Sequence, residues 1–133
     1  MSTKDVVLRY LASVSAGEGW ESFFGDELQF TNFAYPVKRA TGKTASLEGI
    51  RRFYGMVKAM EVERVIAEGD QACALTRYEL QPPNGPAFES HIAEVFEVSD
   101  GKIQSFGIYF DTAPYPQPPK DGARVPREED LTN

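Results

Sequence analysis

Residues 87–98 alternate between two faces, and one face sets a carboxylate among apolar side chains. Phe88, Ser90, Ile92, Glu94, Phe96 and Val98 share it; Ala87, Glu89, His91, Ala93, Val95 and Glu97 share the other. Glu94 is therefore expected to point into a mostly hydrophobic interior. An unpaired carboxylate there costs on the order of several kcal/mol, so its pKa should rise, which suits a proton donor. The alternative is a buried Glu satisfied by Tyr or Arg and serving structure alone. Asn32 follows Leu28 and Phe30 along the inner face of a strand, where an amide can hold a carbonyl oxygen or a water. Tyr10 lies on an apolar helix stripe, so its hydroxyl needs an interior partner. Asp111 ends the last strand, in phase with Ile103, Ser105, Gly107 and Tyr109. Arg77 and Glu79 are in phase with Cys73 and Leu75; they either line the cavity or face water. Two carboxylates in one apolar pocket would be driven to different pKa values, giving an acid and a base. Such catalysis contributes roughly 10²–10⁴-fold and needs no covalent nucleophile. Glu94, with Asp111, Tyr10 and Asn32 projecting into the same cavity, is the expected seat of such chemistry. Phe30, Phe53, Tyr54, Arg77, Glu79, Phe96 and Tyr109 are the expected substrate contacts.

These side chains need elements to hold them. Val6, Val7, Tyr10, Leu11 and Val14 predict a helix over 3–16, capped by Ser2 with Asp5 and stopped by Gly17. Residues 19–25 read as a short second helix and 27–33 as a half-buried strand. Residues 34–43, with Pro36 and Gly42, read as a loop. Ile50, Phe53, Tyr54 and Val57 predict a third helix over about 45–59. The period then changes from 3.6 to 2. Strands are expected at 61–68, 71–81, 87–98 and 102–112, joined by Gly69-Asp70, a Pro-Gly segment and Ser99-Asp100-Gly101. Helices followed by turn-linked strands give an α+β domain over 1–112, a curved antiparallel sheet packed on about three N-terminal helices. Residues 113–133, with Pro114, Pro116, Pro118, Pro119 and Pro126, read as an irregular tail, draped over the sheet or pocket mouth or without a role.

The length of 133 residues suits one domain, and 41% hydrophobic with 26% charged residues suits a globular one. A net charge of −6 and only one Arg-Arg pair, Arg51-Arg52, argue against nucleic acid as a partner. The N-terminus shows no leader pattern and no apolar run approaches a membrane span, so a cytoplasmic protein is expected. Cys73 and His91 are single, too few for an ordinary His/Cys metal site, and His91 falls on the polar strand face. No Gly-rich phosphate loop or Gly-x-Ser-x-Gly elbow is present, and no cofactor or metal is expected. The expected partners are a small apolar ligand and a second copy of the chain through the open face of the sheet.

Several short stretches carry a family resemblance: Arg9-Tyr10-Leu11 with Ala16-Gly17-Glu18, Gly49-Ile50-Arg51-Arg52-Phe53-Tyr54, Glu68-Gly69-Asp70, Asp100-Gly101-Lys102-Ile103 and Tyr109-Phe110-Asp111. Over about residues 4–112 the chain resembles the nuclear transport factor 2-like superfamily. Within it the chain looks most like the SnoaL-like polyketide cyclase, ketosteroid isomerase and limonene epoxide hydrolase branch. The resemblance implies a cone-like sheet enclosing a pocket, and isomerase, cyclase, dehydratase or hydrolase chemistry or plain ligand binding. Ketosteroid isomerases hold an oxyanion with a first-helix Tyr and a protonated Asp, matched by Tyr10 and Glu94; Asn32 stands at their base, and an amide cannot abstract a proton. Limonene epoxide hydrolases use Tyr-x-Asn and Arg-x-Asp pairs, matched by Phe30-x-Asn32 and Arg77-x-Glu79, with Asp111 at a later Asp. In SnoaL-like cyclases the acid–base Asp near the last strand's end again falls at Asp111.

Overall fold

Ser2 opens the first helix as the sequence predicts: Asp5 N–H donates to Ser2 Oγ at 3.1 Å and Ser2 N–H donates to Asp5 Oδ2 at 3.3 Å. Helix α1 spans Thr3–Ala16 and ends where Gly17 turns left-handed at φ 81°. Val6, Val7, Tyr10, Leu11 and Val14 are its buried stripe, each worth roughly 2 kcal/mol of transfer from water. The computed structural model describes residues 1–34 and 36–115. Most of the proline-rich tail read over 113–133 therefore lies outside the described residues.

A single 3-10 turn, Trp20–Phe23, takes the place of the short second helix. It leads into strand β1, Phe24–Asn32. The expected loop contains an extra strand, β2, Lys38–Thr41, antiparallel to β1 with Gln29 opposite Thr41 and Asn32 opposite Lys38. Its Lys-Arg-Ala-Thr sequence has no apolar alternation to announce it; short charged strands are what sheet edges tolerate. Helix α2 covers Lys43–Tyr54 and stops at Gly55, short of the expected end. Strand β3, Val57–Glu68, starts early because Val57 through Met60 pair with Leu80 through Tyr78. Strands β4 (Gln71–Leu80), β5 (Phe88–Ser99) and β6 (Lys102–Phe110) follow.

Among the described residues six strands form one curved sheet in the order β2-β1-β6-β5-β4-β3. It is antiparallel except that β1 runs parallel to β6, which corrects the all-antiparallel expectation. Helix α1 packs on the β3–β6 side and α2 on β1 and β2, and the 3-10 turn packs on α1. An aromatic cluster fills the centre: Phe96 and Phe106 stack at 4.9 Å, and Tyr10 sets its edge against Phe96 at 5.7 Å and leans on Phe24 at 5.1 Å. Among the described residues no helix is long and apolar enough to cross a membrane.

One irregularity in β6 decides which residues reach the interior. Glu97 pairs with Ser105 but Val98 pairs with Ile103, so Gln104 is an inserted bulge residue. Ile103 faces inward before the bulge. After it Phe106, Ile108 and Phe110 face inward, opposite Phe96, Glu94 and Ile92. The single face running Ile103, Ser105, Gly107, Tyr109, Asp111 is therefore broken. Tyr109 lies on the outer face, 49% exposed, and Asp111 beyond the strand is exposed too.

Candidate active site

The inner face of β5 carries Ser90, Ile92, Glu94, Phe96 and Val98 into the core, as the alternation predicts. Glu94 sits between Ala74 of β4 and Ile108 of β6 and is 1% exposed. Tyr78, one row along β4 from Thr76, donates its hydroxyl to Glu94 Oε2 at 2.9 Å. Glu94 Oε1 and Thr76 Oγ1 are buried and, among the described residues, have no partner in hydrogen-bond geometry. Burial pushes the Glu94 carboxyl up to about 7, against the smaller downward pull of the Thr76 and Tyr78 hydroxyls. A carboxyl raised in that direction can give or take a proton near neutral pH.

Tyrosine hydroxyls extend this polar island. Tyr10 and Tyr54 hydrogen-bond to each other through their hydroxyls, joining α1 to α2. Burial raises both phenols well above their ordinary value, and Glu94 adds to the shift of Tyr54. Tyr78 is raised by burial and by Glu94 in turn. All three stay protonated near neutral pH; Tyr78 spends its proton on Glu94, and the Tyr10–Tyr54 pair keeps one to donate to an oxygen that gains charge.

Glu94 and Tyr54 line an inner cavity of about 10 Å³ with Phe30, Ile50, Phe53, Ile92, Phe106 and Ile108. That is about the size of one water. Phe30, Phe53 and Ile108 also belong to an outer cleft of about 330 Å³, which runs on to Asn32, Lys38, Arg39, Arg52, Phe110 and Tyr115. The three shared side chains border both spaces. The outer cleft falls within the range of ordinary small-molecule sites, roughly 300–1,000 Å³.

The fold brings together only part of the expected set. Glu94, Tyr54, Phe30 and Phe53 line the inner cavity, and Tyr10 stands behind Tyr54. Asn32 lies further out in the cleft, its Oδ1 accepting Ala34 N–H at 2.9 Å. Asp111 accepts Ala113 N–H at 3.0 Å in a turn past the sheet, so the two-carboxylate pocket does not form. Arg77 and Glu79 face outward: Arg77 is 3.1 Å from Glu89 and 3.7 Å from Glu61, and Glu79 is 3.7 Å from Lys58. Tyr109 stacks on Phe33 on that outer face at 4.3 Å, and Phe96 is buried in the core rather than at the cavity wall. His91 is exposed beside Glu63 and Glu89, as its strand face predicts. Tyr78 and Thr76 escaped the sequence reading, which followed the Cys73-Leu75-Arg77-Glu79 face of β4. The opposite face, Ala72-Ala74-Thr76-Tyr78-Leu80, is entirely buried, and its run of small and aromatic residues ending in Leu80 was the available signal.

The sequence profile of the SnoaL-like domain family matches residues 7–106. No curated protein matches the chain. Solved structures do. An NTF2-like protein of unknown function from Burkholderia pseudomallei K96243 superposes with a TM-score of 0.73 at 17% identity, covering 86% of this chain and 95% of that one. A candidate SnoaL-like polyketide cyclase from Mesorhizobium loti gives 0.69 at 18% identity, covering 82% and 99%. A protein with a ketosteroid isomerase-like fold from Catenulispora acidiphila DSM 44928, solved with trimethylamine, gives 0.66 at 16%, covering 81% and 86%. At these identities the likeness speaks for the fold.

Proposed function

The chain belongs to the SnoaL-like domain family, and from that premise we propose that it is an enzyme moving a proton on a small, largely apolar metabolite. The reaction is of the isomerase, cyclase, dehydratase or epoxide-opening type. The observation that carries this reading is Glu94, a buried carboxyl among the side chains that line an apolar cavity. Its deprotonated form takes a proton from carbon beside a carbonyl. Tyr54, lining the same cavity and backed by Tyr10, donates to the oxygen that becomes negative. The carboxyl then returns the proton at another carbon, so one group serves as base and acid.

The test uses simple probes. Conversion of cyclohex-3-enone to its conjugated isomer and opening of 1-methylcyclohexene oxide are followed with the purified protein. Glu94→Gln should abolish whichever reaction is found, and Asp111→Asn should leave it unchanged. A Glu94→Gln protein as active as the parent sinks the proposal. The narrowness of the inner cavity favours a second reading, a binding domain without turnover; ligand saturation with neither probe converted would support it.

The same reading includes a homodimer through the outer face of the sheet. Two rows cross that face: Ile66, Cys73, Val95 and Gly107 in one, Arg64, Leu75, Ala93 and Tyr109 in the next. Ile66, Leu75, Val95 and Tyr109 are exposed there, an apolar patch beside the Arg77 ion pairs that a second copy would cover.

A further inference from the structure

The outer cleft differs in charge from the rest of the chain. The protein carries 20 acidic and 14 basic residues, yet among the described residues Lys38, Arg39 and Arg52 line this cleft and no Asp or Glu does. Lys38 comes from β2, opposite the inward-facing Asn32, and Arg52 from α2, so two separate elements each bring a cation to one space; Arg39 is one residue out of phase, opposite Thr31. Among the described residues none of the three makes an ion pair, whereas Arg51, next in the chain, is paired with Glu21. Arg39 instead lies 5.9 Å from the centre of the Phe33 ring.

The uncharged polar groups of the cleft have the same polarity. Asn32 Oδ1 is occupied by Ala34 N–H, which leaves the Nδ2 protons as what that side chain has to give. Ser46 spends its hydroxyl on the Leu28 and Ala40 carbonyls, and Tyr115 exchanges its own with Ser90. The cleft thus offers cations and an amide donor, together with apolar surface from Phe30, Phe53, Met56, Ile108 and Phe110.

We infer that the ligand of this protein is an amphipathic anion: an apolar body with a carboxylate or phosphate oxygen group held by Lys38, Arg52 and the Asn32 amide. The apolar body lies against Phe30, Phe53 and Ile108, which also border the Glu94 cavity. Arg52 supplies paired donors that match two oxygens, and Lys38 a point charge beside them. This assignment rests on the pocket of the proposed function and names the class of molecule that enters it. It does not require Glu94 to act.

The test compares phenylacetate, phenyl phosphate and the neutral isostere phenylacetamide by calorimetry and by amide-shift titration of the full chain. At least one anion should bind about tenfold more tightly than the amide, as two exposed charge contacts would give. The preference should fade as salt rises. Lys38→Gln with Arg52→Gln, both on exposed positions, should remove it while leaving the amide's affinity unchanged. Which anion prevails distinguishes a carboxylic acid from a phosphate ester. Equal binding of all three probes, no binding of either anion at millimolar concentration, or an anion preference that survives the double substitution overturns the inference. Glu94→Gln should keep the preference intact. Loss of probe turnover with the preference retained therefore speaks to the proton-transfer reading alone.

Discussion

Moving a carboxylate from water into the interior of the sheet favours its protonated form, and that preference appears as a pH dependence of stability. The Glu94 carboxyl is raised from 4.5 to about 7. A group raised in the fold contributes its full stability below the unfolded value and loses it as pH rises through the folded one. The stability of the protein should therefore fall between pH 4.5 and pH 7 and level off above, by on the order of 3 kcal/mol from this group. Glu94→Gln cannot ionise, so its unfolding free energy in urea should lack that fall. Subtracting the two curves isolates the group from the other acids, and parallel curves from pH 4 to 8 would refute the burial argument. Tyr10 and Tyr54 allow a second test at this scale. Removing the Tyr54 hydroxyl strands that of Tyr10 in the interior, so Tyr54→Phe should cost about 1–3 kcal/mol, and Tyr10→Phe less, because Tyr54 lines the cavity and has the Tyr78 hydroxyl beside it. The double variant should cost clearly less than the sum. Additive losses would mean that the two hydroxyls do not depend on each other.

At the scale of elements, the sites where β6 meets its neighbours decide what the interior contains. Gly107 sits on the outer face of β6, where an added Cβ would come within 2.9 Å of the Phe33 ring. That ring is stacked on Tyr109, and the Phe33 N–H donates to the Ile108 carbonyl at 2.9 Å, so it has little room to yield. Gly107→Ala should cost about 1–3 kcal/mol in urea unfolding, and the cost should disappear in a Phe33→Ala background. An unchanged cost in that background would refute the contact. The helix stripe of α1, its Ser2 cap and both faces of β5 were legible in the sequence because burial on one side imposes a strict period. The edge strand β2 was not, because pairing with β1 rather than side-chain burial holds it in place. The position of Asp111 was not legible either. A bulge at Gln104 leaves no mark on composition, yet it shifts the phase of every later residue in β6. The site was half legible for the same reason: Glu94, Tyr10, Tyr54, Phe30 and Phe53 lie where the period is unbroken. Tyr78 lay on the β4 face that was passed over for a charged one.

At the scale of the molecule, a curved sheet has two faces with different work. The inner face encloses the Glu94 cavity; the outer one carries the apolar rows through Ile66, Val95, Leu75 and Tyr109. A dimer through those rows should give twice the chain mass of 14.8 kDa in light scattering at about 10 µM, a concentration that populates interfaces of roughly micromolar affinity. Val95→Lys, which sets a charge in the middle of the patch, should give the monomer mass with the fold intact by circular dichroism. A parent protein already monomeric at that concentration would contradict the dimer. The inner face poses the sharper question, because helices and sheet together must exclude water from one carboxyl. The measurement that reads this directly is a pH titration of the Glu94 side-chain carboxyl by carbon NMR, assigned with Glu94→Gln. A midpoint near 7 is the outcome this account requires. A midpoint near that of an exposed glutamate, about 4.3, would mean that the cavity wall carries an ordinary acid and that the proton-transfer site does not exist.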